Sequence, residues 1–132
     1  GVCLTEVLYL KPGEQKNFCI IDAAMNDLPR PAMYQAFHQI VPVTPRSDMP
    51  TTWEVVGPVC ESGDWLGRER ELAIAPGDFV AVLSAGAYAM SMASNYNTRA
   101  RAAEVMVDDD KAFVIREREK IEDLFSLEKL LP

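Results

Sequence analysis

The sequence has little of what metal and nucleic-acid chemistry usually require. Its 132 residues include one histidine, His38, and 13 basic side chains against 20 acidic ones, a net charge of −7. A lone histidine argues against a His-based metal site. The acidic balance argues against a nucleic-acid partner, because that affinity comes largely from Lys and Arg neutralising phosphates. Three cysteines, Cys3, Cys19 and Cys60, are too few and too scattered for a disulfide framework or a zinc cluster. Their odd number points to a reducing compartment, the cytoplasm. No apolar run approaches the ~20 residues of a membrane-spanning helix, so no membrane partner is expected. The first residues lack the basic start and small-residue cleavage site of a signal peptide. They begin on Gly1 rather than Met, so the chain is expected to be a piece of something longer. Neither an internal repeat nor a Gly/Ser-rich linker interrupts it, and residues 1–132 read as one domain of ordinary size.

What is present is a set of short apolar runs. Hydrophobic residues make up 48% and charged residues 25%, which excludes a disordered chain. Strands are expected over 2–10, 17–22, 34–43, 53–56, 78–84, 104–107 and 112–115, the last two forming a hairpin around Asp108-Asp109-Asp110-Lys111. Helical signals are few. Residues 23–28 are stopped by Pro29 and Pro31; residues 85–94 contain good helix formers; residues 116–124 place Ile121 and Leu124 on one face. Seven strands with little helix predict a mainly β architecture, a barrel or sandwich. Residues 44–52 read as a polar, disordered connection.

Three stretches carry chemistry. In Gly57-Pro58-Val59-Cys60-Glu61-Ser62-Gly63-Asp64 a strand ends and a thiol, two carboxylates and a hydroxyl follow within five residues. A thiol can donate a proton to a carbanion or act as a nucleophile; the competing reading is a turn whose Ser62 and Asp64 satisfy local backbone N–H groups. Arg30 lies between Pro29 and Pro31, which fix the backbone of a guanidinium suited to bidentate carboxylate binding. Tyr34 points the same way if that turn is helical; otherwise Arg30 is a surface residue and Tyr34 a core one. In Ser84-Ala85-Gly86-Ala87-Tyr88 a strand runs into a small-residue turn that opens a helix, where backbone N–H groups favour anions. Close packing of helix on strand explains Gly86 equally well.

Cys60-Glu61-Ser62-Gly63-Asp64, Asp27-x-x-Arg30-Pro31-x-x-Tyr34, Gly86-Ala87-Tyr88 and Tyr96-Asn97-x-Arg99 through Ala103-Glu104-Val105 occur in the order found in the C-terminal domain of the diaminopimelate decarboxylase family. The resemblance covers nearly the whole chain. It implies a C-terminal β-barrel or sandwich of the alanine racemase-like, group IV decarboxylase type with a few short helices. A (β/α)8 barrel carrying the Schiff-base lysine of pyridoxal 5′-phosphate would precede it and is absent from this chain. None of the five lysines, in turns, a hairpin tip or charged segments, reads as that lysine.

The resemblance further implies a homodimer whose active sites are completed by this domain of the other subunit. The reaction would convert meso-2,6-diaminopimelate to L-lysine and CO2, the last step of bacterial lysine synthesis. Cys60 would protonate the carbanion left by CO2, Glu61 would read the distal ammonium, Arg30 and Tyr34 would bind substrate carboxylate, and Tyr88 would touch substrate and cofactor. Glu61, where ornithine-type enzymes typically carry Asp, favours diaminopimelate. The alternatives are an ornithine- or arginine-type decarboxylase of the same fold, or a non-catalytic β module for binding or assembly. The 132 residues alone are expected to be inactive.

Overall fold

The computed structural model describes all residues from Gly1 to Pro132. Eight strands and two short helices follow in the order β1 (Cys3–Lys11), β2 (Phe18–Ile21), α1 (Arg30–Tyr34), β3 (Ile40–Pro42), β4 (Thr51–Val56), β5 (Trp65–Leu72), β6 (Phe79–Val82), β7 (Glu104–Asp108), β8 (Lys111–Arg116) and α2 (Ile121–Leu124). The architecture is mainly β, as expected. Six strands form one sheet in the order β3-β6-β1-β2-β4-β5, and β7 and β8 form a separate antiparallel ribbon.

Alternation builds the core. Thr5 and Val7 on β1, Cys19 and Ile21 on β2, Trp53 and Val55 on β4, and Val80 and Val82 on β6 point to one side and are buried. β1 and β2 pair across the Pro12-Gly13 turn, with a bulge between Val7 and Tyr9. The indole N–H of Trp53 donates to the Leu72 carbonyl at 3.2 Å. Glu54 breaks the apolar pattern while nearly buried, and Lys16 neutralises it at 3.0 Å. The sheet curls until its two margins meet. Ile40 on β3 presses so close to β5 that a β-carbon at Gly67 would lie 2.8 Å from its side chain. The result is a nearly closed barrel.

One pairing has a topological consequence. β2 and β4 run parallel, whereas the other sheet pairs are antiparallel. Parallel neighbours need a crossover connection. Residues 22–50 make it, and they carry α1 over the sheet before β3.

Five expectations are corrected. Residues 23–28 form only a turn, closed by Asp27 and Leu28 N–H groups on the Ala24 carbonyl. The helix lies beyond them, because a proline near a helix start is pre-set for it rather than a stop. The strand expected over 34–43 begins only at Ile40, since Gln35 closes α1 in the left-handed region. The helix expected over 85–94 is a series of turns, interrupted by Ser84 and Tyr88 at φ 56° and 62°. Residues 44–52 are anchored rather than loose. Arg46 grips Asp78 at 2.6 and 3.1 Å, and Thr51 and Thr52 belong to β4. β5 was not foreseen at all. The tail helix expected over 116–124 shrinks to α2.

At the chain start, the Ala85 N–H donates to the Gly1 carbonyl at 3.0 Å. Gly1 therefore lies against the turn that leads to Tyr88.

Candidate functional site

The loop joining β4 to β5 is organised by one buried carboxylate. Asp64, 3% exposed, accepts the Met25 N–H at 2.7 Å and the Val59 N–H at 3.0 Å. It thereby pins the loop at one end and the residues before α1 at the other. Gly57 makes room for it, since a β-carbon there would stand 2.2 Å from Oδ2. The Asp64 half of the turn reading therefore holds. The Ser62 half does not: its hydroxyl donates to Glu61 at 3.3 Å instead of capping backbone.

With the loop ends fixed, its crest carries Cys60 exposed and Glu61 half-buried. Glu61 Oε1 accepts the Gly63 N–H at 2.9 Å, and Oε2 accepts the Tyr96 hydroxyl at 3.1 Å. The Gly63 N–H, then the Tyr96 hydroxyl, hold this carboxyl below the usual glutamate range. The same bond pushes Tyr96 upward. Glu61 is thus a fixed, ionised acceptor. Beside it lies a cleft of about 290 Å³ lined by Met25, Asn26, Pro29, Met33, Met92, Ser94 and Tyr96.

Arg30 opens α1, and its guanidinium lies 5.6 Å from the centre of the Tyr88 ring. Tyr34 closes the same helix and is exposed. The helical condition for Arg30 and Tyr34 to share a side is met, and Tyr34 is not a core residue. Tyr88 is 64% exposed and held in the left-handed region, an outlier for a bulky side chain. The turn around it replaces the expected helix start, so no helix N-terminus is available there for an anion. A cation and a phenol remain.

Two groupings result: Cys60, Glu61 and Tyr96 on one side, and Arg30 with Tyr88 on the other. No hydrogen bond or ion pair joins them directly, and the residues before α1 are the physical link. Tyr96 is not among the candidate site residues that the sequence offers. Only its place in the Tyr96-Asn97-x-Arg99 motif marked it. The two other thiols stay structural. Burial pushes Cys3 up to about 11 and Cys19 up to about 12.

Known proteins share both the sequence and the shape. A diaminopimelate decarboxylase of Pseudomonas fluorescens is 56% identical over 132 residues, which is 100% of this chain and 32% of that protein. Two crystal structures superpose on it. One is diaminopimelate decarboxylase from M. jannaschii in co-complex with L-lysine, with a TM-score of 0.95 and 39% identity over 99% of this chain and 30% of that one. The other is diaminopimelate decarboxylase from Helicobacter pylori complexed with L-lysine, with a TM-score of 0.88 and 45% identity over 96% of this chain and 31% of that one. The chain thus spans about a third of the length of the relatives it matches. The family described as pyridoxal-dependent decarboxylase, C-terminal sheet domain, matches residues 1–86, nearly two thirds of the sequence, and to that family the chain belongs.

Proposed function

We propose that residues 1–132 form one β-domain of a cytoplasmic, homodimeric diaminopimelate decarboxylase. That enzyme converts meso-2,6-diaminopimelate to L-lysine and CO2. The observation that carries this reading is the match to diaminopimelate decarboxylases across the whole chain, at 56% identity. The fold class alone would serve other decarboxylases as well.

The residues present fit one edge of pyridoxal 5′-phosphate rather than its anchor. Lys16 is engaged with Glu54, and the remaining lysines, Lys11, Lys111, Lys120 and Lys129, lie at a strand end, in the ribbon or in the tail. The resemblance to these decarboxylases implies that the lysine binding the cofactor covalently belongs to a (β/α) barrel outside these residues. The Arg30–Tyr88 pair offers a cation and a hydroxyl, which suit an anionic group of substrate or cofactor. When bound, the cofactor supplies the electron sink for loss of CO2.

This chain's own groups divide the remaining work. Arg30 and Tyr34 take a substrate carboxylate, with a guanidinium whose fork matches it. Glu61 takes the distal ammonium. Cys60, exposed at the crest of its loop, is free to reach a site on another domain or subunit and deliver one proton to the carbon that has lost CO2. Tyr88 contacts substrate and cofactor together. The 132-residue chain by itself, given cofactor and substrate, should not turn over.

The test is Cys60→Ala in the full-length enzyme. Product formation should fall about 10²–10⁴-fold, the usual share of a positioned proton donor. Absorbance of the bound cofactor should not change. Unaltered steady-state turnover would remove Cys60 from the reaction. Glu61→Asp, compared for diaminopimelate and ornithine, tests the substrate assignment: no change in preference would return the ornithine-type alternative.

A further inference from the structure

The Glu61 carboxylate is largely spoken for before any ligand arrives. A carboxylate has about four acceptor sites, two on each oxygen. Oε1 accepts from the Gly63 N–H at 2.9 Å and from the Ser62 hydroxyl at 3.3 Å, which fills it. Oε2 accepts from the Tyr96 hydroxyl at 3.1 Å. One site remains, on Oε2.

The tyrosine that takes the third site is itself held from both sides. The Ser94 N–H donates to the Asn26 carbonyl at 3.0 Å, and the Asn26 amide returns a bond to the Ser94 carbonyl at 3.2 Å. Arg99 then reaches the Asn26 side chain at 2.9 Å and the Asp22 carbonyl at 2.5 Å. Asn26 is 3% exposed, so its bonds to Ser94 and Arg99 are partly shielded from water, whereas the Arg99–Asp22 bond is exposed. Segment 94–99 is stitched to segment 22–26, and Tyr96 is delivered to Glu61 with little freedom.

We infer that Tyr96 is a positioning residue that, with Ser62 closing Oε1, leaves Glu61 a single acceptor site and so sets which cation it accepts. With a single acceptor site left, the carboxylate suits one N–H of a primary ammonium, a compact charge with rotatable donors. A guanidinium docks best as a fork, with parallel bonds to both oxygens. Oε1 has no site for the second prong. The Ser62 and Tyr96 bonds together thereby favour a substrate ending in an amine over one ending in a guanidinium. The inference rests on the proposed role of Glu61 as the ammonium-reading group.

The experiment uses the full-length, cofactor-loaded enzyme with meso-diaminopimelate as substrate, and L-lysine and L-arginine as competitive inhibitors. Tyr96→Phe should raise KM about tenfold, the loss expected for a hydrogen bond to a charged group, with kcat within about twofold because Tyr96 touches no reacting atom. The ratio of the arginine to the lysine inhibition constant should stay within about twofold in Tyr96→Phe, because Oε1 remains filled and the fork still lacks its second oxygen. Ser62→Ala changes an exposed side chain and frees a site on Oε1. It should lower the same ratio about tenfold, and an unmoved ratio would overturn the inference whether or not Tyr96→Phe folds. Glu61→Gln separates the two readings. If Glu61→Gln raises KM while a folded Tyr96→Phe leaves KM unmoved, the role of Tyr96 is overturned and that of Glu61 stands. If Glu61→Gln itself leaves KM unmoved, the ammonium reading fails and this inference falls with it. Equal losses in kcat and kcat/KM for Tyr96→Phe would also overturn it.

Discussion

The two oxygens of Asp64 hold the Met25 and Val59 N–H groups and so set where the crest of the Cys60 loop stands. Gly57 is its counterpart, since any side chain there would occupy the carboxylate's space. Gly57→Ala should therefore lower stability by roughly 2–4 kcal/mol, from overpacking plus displaced hydrogen bonds to a buried charge. A urea titration checks this, and a loss under about 1 kcal/mol would mean the carboxylate has another place to sit. Some of this was legible in the sequence. A thiol, two carboxylates and a glycine clustered after Gly57-Pro58 marked a loop with chemistry. The division of labour within it was not legible, because Asp64 turns inward and Glu61 outward only after distant N–H groups and Tyr96 select them.

The elements that failed to read correctly did so for local physical reasons. β5 places four charged residues in a row, Arg68-Glu69-Arg70-Glu71, between its two buried leucines, Leu66 and Leu72, so no apolar period of two shows, and Glu69 sits at φ 53°. The turns at 85–94 hold good helix formers, but Ser84 and Tyr88 take the left-handed region, a choice made by tertiary packing that composition does not reveal. β1, β2, β6 and the β7–β8 hairpin were readable because each repeats with period two or is bounded by Pro, Gly or Asp turns. Between elements, the stitch at Arg99 is the feature most open to test. Arg99→Ala removes its bonds to Asn26 and Asp22 and leaves the Asn26 side-chain Oδ1 without that donor. A loss of about 2–3 kcal/mol is expected, with hydrogen exchange rising first in residues 94–99. Unchanged protection there would place the restraint on Tyr96 elsewhere.

Across the whole molecule, the three thiols form a graded set. Cys60 is exposed, Cys3 partly covered and Cys19 fully buried. Burial raises the Cys3 and Cys19 thiols to about 11 and about 12, so neither presents a thiolate until the solution is strongly alkaline. Between pH 7 and 9 an alkylating reagent should modify one cysteine per native 132-residue chain, Cys60, and three after unfolding, as read by intact mass. Fast modification of a second thiol in the native state would show that the barrel opens near β1. The outer surface is less settled than this interior. Leu4, Leu8 and Tyr9 on β1 and Met106, Val107 and Phe113 on the ribbon are all exposed, and apolar residues gathered on a surface are where partners dock. The proposed barrel domain and second subunit would cover such surface. The tether between the Gly1 carbonyl and the Ala85 N–H has a practical side. In the isolated 132-residue chain, a fluorophore coupled to the Gly1 α-amino group would stand beside the Tyr88 turn and could serve as an optical reporter of ligands arriving there, whereas in the longer enzyme proposed above the preceding chain occupies that position.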